Sequence, residues 1–311
     1  MNLMESSNRS HRSFLRRFFH PGSWPFWGIH LVAILGVALT GFSWSGLALA
    51  AAFYAGRMVW VSIAYHRYFS HRTFKTSRWF QFVMAVVANT TAQKGVLWWA
   101  GHHRRHHKYS DQPGDTHSPV LDGLWFSHVG WVVEENPERD KVDESRVKDL
   151  TAYPELRLLE RFNLVPPLLL ALALLAVGGW HVLLWGFFVS TVLLWHGTFT
   201  VNSLNHMFGR RRYATSDDSR NNWFLAIFVT TGEGWHNNHH HYQSAANQGF
   251  RWYEIDVAFY FLMVLRLLGL VWDVRVAPRH VVRGETRAAR QPAVIAGAAP
   301  PPQPVQSPER R

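Results

Sequence analysis

Two long stretches without a single Lys, Arg, Asp or Glu, residues 26–56 and 163–209, constrain this chain of 311 residues more than any other feature. A helix needs about 20 apolar residues to cross a bilayer, so each stretch is long enough to cross twice. Each is interrupted once by a short uncharged turn, Gly41-Phe42-Ser43-Trp44-Ser45-Gly46 in the first and Gly178-Gly179-Trp180-His181 in the second, which marks the outer side of the membrane. Trp24 and Trp27 suit an interfacial belt, and Pro166 and Pro167 are tolerated in a first helical turn. The expected architecture is all-α integral membrane: two transmembrane helical hairpins (four spans), about 24–65 and 162–201. Even crossings leave residues 66–161 and 202–278 together on one face, as a cytoplasmic helical cap.

Residues 79–93 are apolar but short for a span and contain Asn89, Thr90, Thr91 and Gln93, so a re-entrant or interfacial helix is expected. Residues 252–272 carry Glu254, Asp256 and Arg266 and read as an amphipathic helix lying on the membrane. Residues 1–23 form a basic cytoplasmic arm with no signal-peptide pattern, and 279–311 an Ala/Pro/Arg-rich disordered tail. The net charge of +11 lies in segments flanking the spans, where cytoplasmic loops are basic. Membrane lipid and an anionic substrate or donor protein are therefore the expected partners, with no nucleic acid. The absence of Cys excludes disulfides, Cys-ligated zinc, iron–sulfur clusters and a thiol nucleophile.

Histidine carries the chemistry. His236, His239 and His240 stand at i, i+3 and i+4, a spacing expected to aim three imidazoles at one point, and His103, His106 and His107 repeat it. His66 and His71 form a looser pair and His206 stands nearby in the apolar frame. HRRHH alone could be a solvated basic patch; its recurrence as HNNHH, without that charge, argues otherwise. Two triplets, a pair and one further histidine exceed the needs of one metal, and imidazole suits iron, zinc or copper, so a dinuclear site is expected. His11, His20, His30, His181, His196 and His280 read as isolated residues. His102 and His241 adjoin the triplets as competitors, and His117 and His128 are candidates to orient ligands. A single Glu-x-x-His, Glu233 to His236, and the lack of HExxH disfavour soluble di-iron and zinc-protease patterns. Nitrogen-rich ligation at the end of a membrane bundle points to oxygen chemistry near lipid, since an unactivated methylene offers no proton or polar handle to acid–base catalysis.

HRYFSH, HRRHH, Asn202-Ser203-Leu204-Asn205-His206 and GEGWHNNHH, with DTHSP from Asp115 and FSHVGW from Phe126, resemble the membrane fatty acid desaturases in order and spacing. The likeness is greatest to the Δ9 (stearoyl-CoA type) acyl desaturases, of a bacterial type without fused cytochrome b5, and covers residues 24–278 as a single desaturase domain. It implies a di-iron centre with two Fe ions held by His66, His71, His103, His106, His107, His206, His236, His239 and His240, and by Asn202 through water. O2 is the implied co-substrate, and a fatty acyl thioester or acyl lipid receives a cis double bond. The resemblance also places Gln93, Trp99 and Thr198 at the bend of an acyl tunnel, with Tyr54 and Met58 near its closed end, where Met58 should shorten it. Arg57, close to that face, is unusual inside a span.

Animal members carry an Arg-Asp pair where this chain has Gly101-His102, which leaves CoA, acyl carrier protein and glycerolipid all open as the head group. Electrons are expected from a separate ferredoxin or cytochrome b5-like donor with its reductase, and the implied location is a bacterial inner membrane with the active site on the cytoplasmic face. A membrane di-iron hydroxylase of alkanes or lipids is the nearest alternative. A histidine-rich metal transporter is the alternative of another class, disfavoured because the clustered histidines lie at or beyond span ends rather than within them.

Overall fold

The computed structural model describes residues 18–284. The expected arm at 1–17 and tail at 285–311 lie outside the described residues. Helix α1 (Trp24–Thr40) begins with Pro25 in its first turn, where the missing N–H costs nothing, and stops at Gly41, whose φ of 82° suits glycine. Ser43 opens α2 (Trp44–Trp60), its Oγ accepting the Gly46 N–H at 3.0 Å. The helix then widens without a break into a π-helical stretch, Val61–Ser70, which carries His66 and Arg67. Such turns are rare and concentrate at functional sites.

Helices α3 (Arg78–Asn89) and α4 (Val96–Tyr109) follow, then α5 (Val165–Leu183), a π-helical turn Leu184–Val189, α6 (Ser190–Asn202), α7 (His236–His241) and α8 (Val257–Leu267). Two short strands, β1 (Lys75–Thr76) and β2 (Val271–Trp272), pair antiparallel. The described chain is thus mostly helical. Three helical runs are long and apolar enough to cross a membrane: Pro21–Thr40, Trp44–Ser70 and Val165–His206. Their outward side chains, among them Leu31, Ile34, Leu39, Leu168, Leu169 and Val177, are exposed apolar groups that suit lipid rather than water.

The third run is not one straight helix. Gly178 (φ −144°, ψ 21°) and Gly179 (φ 61°, ψ −158°) leave helical geometry in its middle. A continuous helix would hold Leu174 and Gly186 about 18 Å apart. Instead a Cβ on Gly186 would stand 3.3 Å from Leu174 Cδ1, so the chain doubles back at the glycine pair. The arms pack closely through small residues: a Cβ on Gly36 of α1 would meet Leu184 Cδ1 at 2.4 Å. Arg57 is buried and donates to Thr191 Oγ1 at 2.9 Å, Ser190 Oγ at 2.5 Å and Thr90 O at 3.2 Å, tying α2 to α6 and to the loop after α3.

Between and after the runs the apolar helices are short. Helix α3 has 12 residues, and the loop beyond it bends at Ala92 (φ 55°) and Lys94 (φ 65°). Helix α8 has 11, because Asp256 caps it by accepting the Phe259 N–H at 3.0 Å. Both ends of the described chain are ordered. Residues 18–23, the end of the expected basic arm, are packed: Phe18 is buried and His20 Nε2 lies 2.9 Å from Val133 O. A short helix, Arg279–Val282, occupies the start of the expected disordered tail, set off by the extended backbone of Pro278.

Candidate metal centre

The nine imidazoles gather into two groups: His66, His71, His103, His107 and His239 in one, His106, His206, His236 and His240 in the other. Neither triplet aims at a single point. Residues i and i+4 lie about 40° apart around a helix, whereas i+3 lies on the far side of i by about 60°. Helix α4 therefore sends His103 and His107 to the five-imidazole group and His106 to the other; α7 sends His236 and His240 to the four-imidazole group and His239 across. The crossing makes α4 and α7 shared walls of both groups.

Carboxylates set the rings. In the four-imidazole group His106 Nδ1 bonds Asp115 Oδ1 at 2.9 Å, His206 Nδ1 bonds Asp111 Oδ2 at 2.8 Å and His240 Nδ1 bonds Asp217 Oδ2 at 2.6 Å. In the five-imidazole group Glu233 takes His66 Nδ1 and also accepts from Ser62 Oγ and from the Arg67 guanidinium at 3.1 Å. A carboxylate on Nδ1–H fixes the tautomer and leaves Nε2 free to bind a metal. Burial alone would push the Asp111 carboxyl up, but its bond to His206 outweighs this and holds it at about 2. Glu233, also buried, is brought to about 2 chiefly by His66 and Arg67. Burial likewise disfavours a proton on His106, yet Asp115 prevails and raises its pKa. His236 and His239, buried without such a partner, are held well below the ordinary imidazole range.

The Nε2 atoms face one another at 3.0 Å (His66 to His239), 2.8 Å (His71 to His103), 2.9 Å (His103 to His107), 2.9 Å (His107 to His239) and 3.0 Å (His206 to His236). Imidazole nitrogens at such separations either share a proton in an N–H···N hydrogen bond or face a common cation. With metal–nitrogen bonds of about 2.0–2.1 Å, ligands at right angles stand about 2.9 Å apart and tetrahedral ones about 3.3 Å. These five spacings are close to the first value, and the ligand nitrogens of each group all lie within 4.8 Å of one another, near enough to share one ion. His240 Nε2 is buried with no hydrogen-bond partner, as a metal-facing nitrogen would be. The donor set thus fits two metal ions, and is compatible with a di-iron site.

Other candidates fall into place around these groups. Asn202 ends α6, and no hydrogen bond joins its side chain to any of the nine imidazoles. Gln93 Nε2 donates to Thr198 Oγ1 at 3.0 Å and Trp99 Nε1 to Gln93 Oε1 at 3.4 Å, so these three residues form one chain. Trp99 also stacks on His103, centroids 5.0 Å apart. Tyr54 and Met58 both press on Gly197, where a Cβ would meet them at 2.5 and 2.9 Å. His102 stacks on Trp98 and His241 on Tyr213, outside both groups. His117 lies with His106 and Asp115 in a third cluster. His30 and His196 are not isolated: His30, His196 and His128 form a hydrogen-bonded line, 3.1 and 3.0 Å apart.

Sequence reasoning missed the carboxylates' role: Glu233 and Asp115 entered only as parts of motifs, and Asp111 and Asp217 not at all. The asparagines inside HNNHH were missed too. Asn237 Oδ1 accepts the Arg212 and Tyr213 N–H groups at 2.8 Å each, and Asn238 Nδ2 donates to Gln248 O at 2.8 Å, which anchors the six-residue α7. The one available signal was position, since Asp111 and Asp115 follow the first triplet within one short loop.

A helical chain with three membrane-length apolar runs and a two-part imidazole cluster is compatible with the class of membrane oxidoreductases that use metal. Residues 42–263 match the fatty acid desaturase family. The chain is 37% identical over 254 residues to an sn-1 stearoyl-lipid 9-desaturase of Synechocystis sp., covering 81% of this chain and 79% of that one. It is 35% identical over 256 residues to an sn-1 stearoyl-lipid 9-desaturase of Anabaena variabilis (82% and 93% covered) and 37% identical over 251 to an acyl-CoA 5-desaturase of Anemone leveillei (80% and 77%). The chain belongs to the fatty acid desaturase family, and is an oxidoreductase that desaturates fatty acyl chains with O2.

Proposed function

We propose that the chain introduces a cis double bond at the Δ9 position of a saturated fatty acyl chain carried on a membrane lipid or a thioester. The observation that carries this reading is the pair of imidazole groups, their nitrogens spaced for two metal ions, at the ends of α2 and α6. Relatives named as stearoyl-lipid 9-desaturases support the position, and the acyl-CoA relative keeps the thioester in view. His66, His71, His103, His107 and His239 would hold one iron; His106, His206, His236 and His240 would hold the other, with Asn202 contributing through water. Such a pair of irons, when bound, supplies the O2 chemistry that an unactivated methylene requires.

The chain's own residues do the rest. Four carboxylates hold imidazole Nδ1 protons so that Nε2 points inward. Gln93, Trp99 and Thr198 place a polar bend beside His103, and Tyr54 with Met58 against Gly197 closes the far end of the acyl path. The reversal at Gly178-Gly179 supports a reading of four spans in two hairpins. In that reading both imidazole groups belong to a cap of the single domain 24–278, and we assign that cap to the cytoplasmic face of a bacterial inner membrane. A separate ferredoxin or cytochrome b5-like donor, with its reductase, supplies electrons. The test is expression in cells lacking Δ9 desaturation, with mass spectrometry locating new double bonds in the lipid and thioester pools. Hydroxylated chains, or no new double bond in protein that holds iron, would sink the proposal.

A further inference from the structure

Arg57 carries a charged group into the interior of the second membrane-length run, where it is buried. Charged side chains in such places are rare, face the bundle interior and mark function. The acceptors around Arg57 are all neutral. Nε donates to Phe53 O at 3.3 Å, Nη1 to Thr191 Oγ1 at 2.9 Å and to Thr90 O at 3.2 Å, and Nη2 to Ser190 Oγ at 2.5 Å. Ser190 Oγ gives its own proton to Gly186 O at 2.6 Å, which leaves its lone pairs for the guanidinium. A planar fork reaches these separate acceptors at once; a lysine ammonium at the end of a flexible stem does so less well.

The elements joined in this way are those that carry the proposed acyl path. Tyr54 and Met58 stand on α2 with Arg57, Gly197 and Thr198 stand on α6 with Ser190 and Thr191, and Gln93 lies in the loop that begins at Thr90. Trp195 Nε1 adds a second bond from α6 to that loop, reaching Thr91 O at 3.0 Å. Ser190 and Thr191 precede Gly197 on α6, about 9–10 Å further from the imidazole end of the helix. The guanidinium therefore lies beyond the contact of Tyr54 and Met58 with Gly197. Helices in lipid gain little from apolar contact alone, so close packing at small residues and directional bonds fix their separation and register. Resting on the acyl path proposed above, we propose that Arg57 is a positioning residue that sets where that path ends. It locks α2 to α6 and so holds Met58 at a fixed height on Gly197. Without the lock the two helices yield to a longer chain, and discrimination by length is lost. Met58→Ala differs in kind, because it moves the floor and keeps the preference sharp.

The test expresses the full chain in cells lacking Δ9 desaturation and feeds palmitic, stearic and arachidic acids in equal amounts. Mass spectrometry gives the monounsaturated products, and iron is measured on the purified protein. Wild type should favour one length over its neighbours by about tenfold or more, the scale on which apolar sites distinguish added methylenes. Arg57→Leu should lower that ratio by about fivefold, Ser190→Ala, which removes one acceptor, by less, and Arg57→Lys should recover part of the loss. Iron content should stay at the wild-type level in all three. An unchanged length preference in Arg57→Leu, even with lower turnover, overturns the assignment and leaves Arg57 a stabilising residue only. If Arg57→Leu does not accumulate, Ser190→Ala decides, and an unchanged preference there overturns the assignment equally. A wild type that takes all three lengths alike overturns the fixed floor. Iron-replete wild type that makes no double bond overturns the desaturation reading instead.

Discussion

The two imidazole groups differ in what supports them. The four-imidazole group has a carboxylate behind three of its rings and is buried throughout, while the five-imidazole group has one carboxylate, Glu233, and three rings partly open to solvent. Fixed anionic partners raise ligand basicity and hold ring orientation, so a metal in the four-imidazole group should be tightly and rigidly held. The other group exchanges that support for an extra ring and for access. One site is built to retain, the other to be reached.

The largest effect that can break this contrast is loss of a ring. His103→Ala and His239→Ala should each lower desaturation by more than about 100-fold and iron towards one ion per chain, leaving membrane insertion intact. Wild-type turnover in either, at wild-type iron content, would remove the ligand assignment. Next in size, Asp217→Asn should weaken metal binding in the four-imidazole group by about 10–100-fold, read by chelator competition, because His240 loses its anionic partner. A chelator added to the wild type should remove metal in two phases, the partly exposed group first; a single phase would mean that the sites do not differ.

Acid should act through the same carboxylates. Asp111 and Glu233 are held at about 2 in the folded chain, below the usual range of about 3.9 to 4.3. Their contribution to the stability of iron-free protein is therefore complete above about pH 4 and is lost as pH falls towards 2. Thermal unfolding of iron-free protein across that window measures it, and a flat profile would argue against these pairs. The smallest expected effect is at the proposed tunnel end: Met58→Ala should favour acyl chains longer by about one or two carbons, read from the product profile, given the methylene-scale room that truncation creates.

Much of the fold was legible in the residue pattern because a bilayer makes a one-dimensional demand. Charge-free length suffices to announce a membrane helix, and Gly41 and the Gly178-Gly179 pair suffice to announce its turns. Legibility ended at the short elements. The π-helical stretch Val61–Ser70 and the helical turn Arg279–Val282 depend on context rather than composition. In the site, the histidines stood out because their spacing repeats. Their assignment to groups did not, because a triplet on one helix looks the same whether it serves one point or two.

The sequence by itself determined that this chain is a helical membrane protein with nine clustered imidazoles near its span ends, and that it is related to the fatty acid desaturases. Only the tertiary structure decided that each triplet is divided, that Asp111, Asp115, Asp217 and Glu233 stand behind four of the rings, and that one group opens to solvent. The reason is physical. Helical spacing fixes the angle between neighbouring side chains, but which partner waits at each angle is set by segments brought together only when the chain packs, such as Asp111 against His206 and Glu233 against His66.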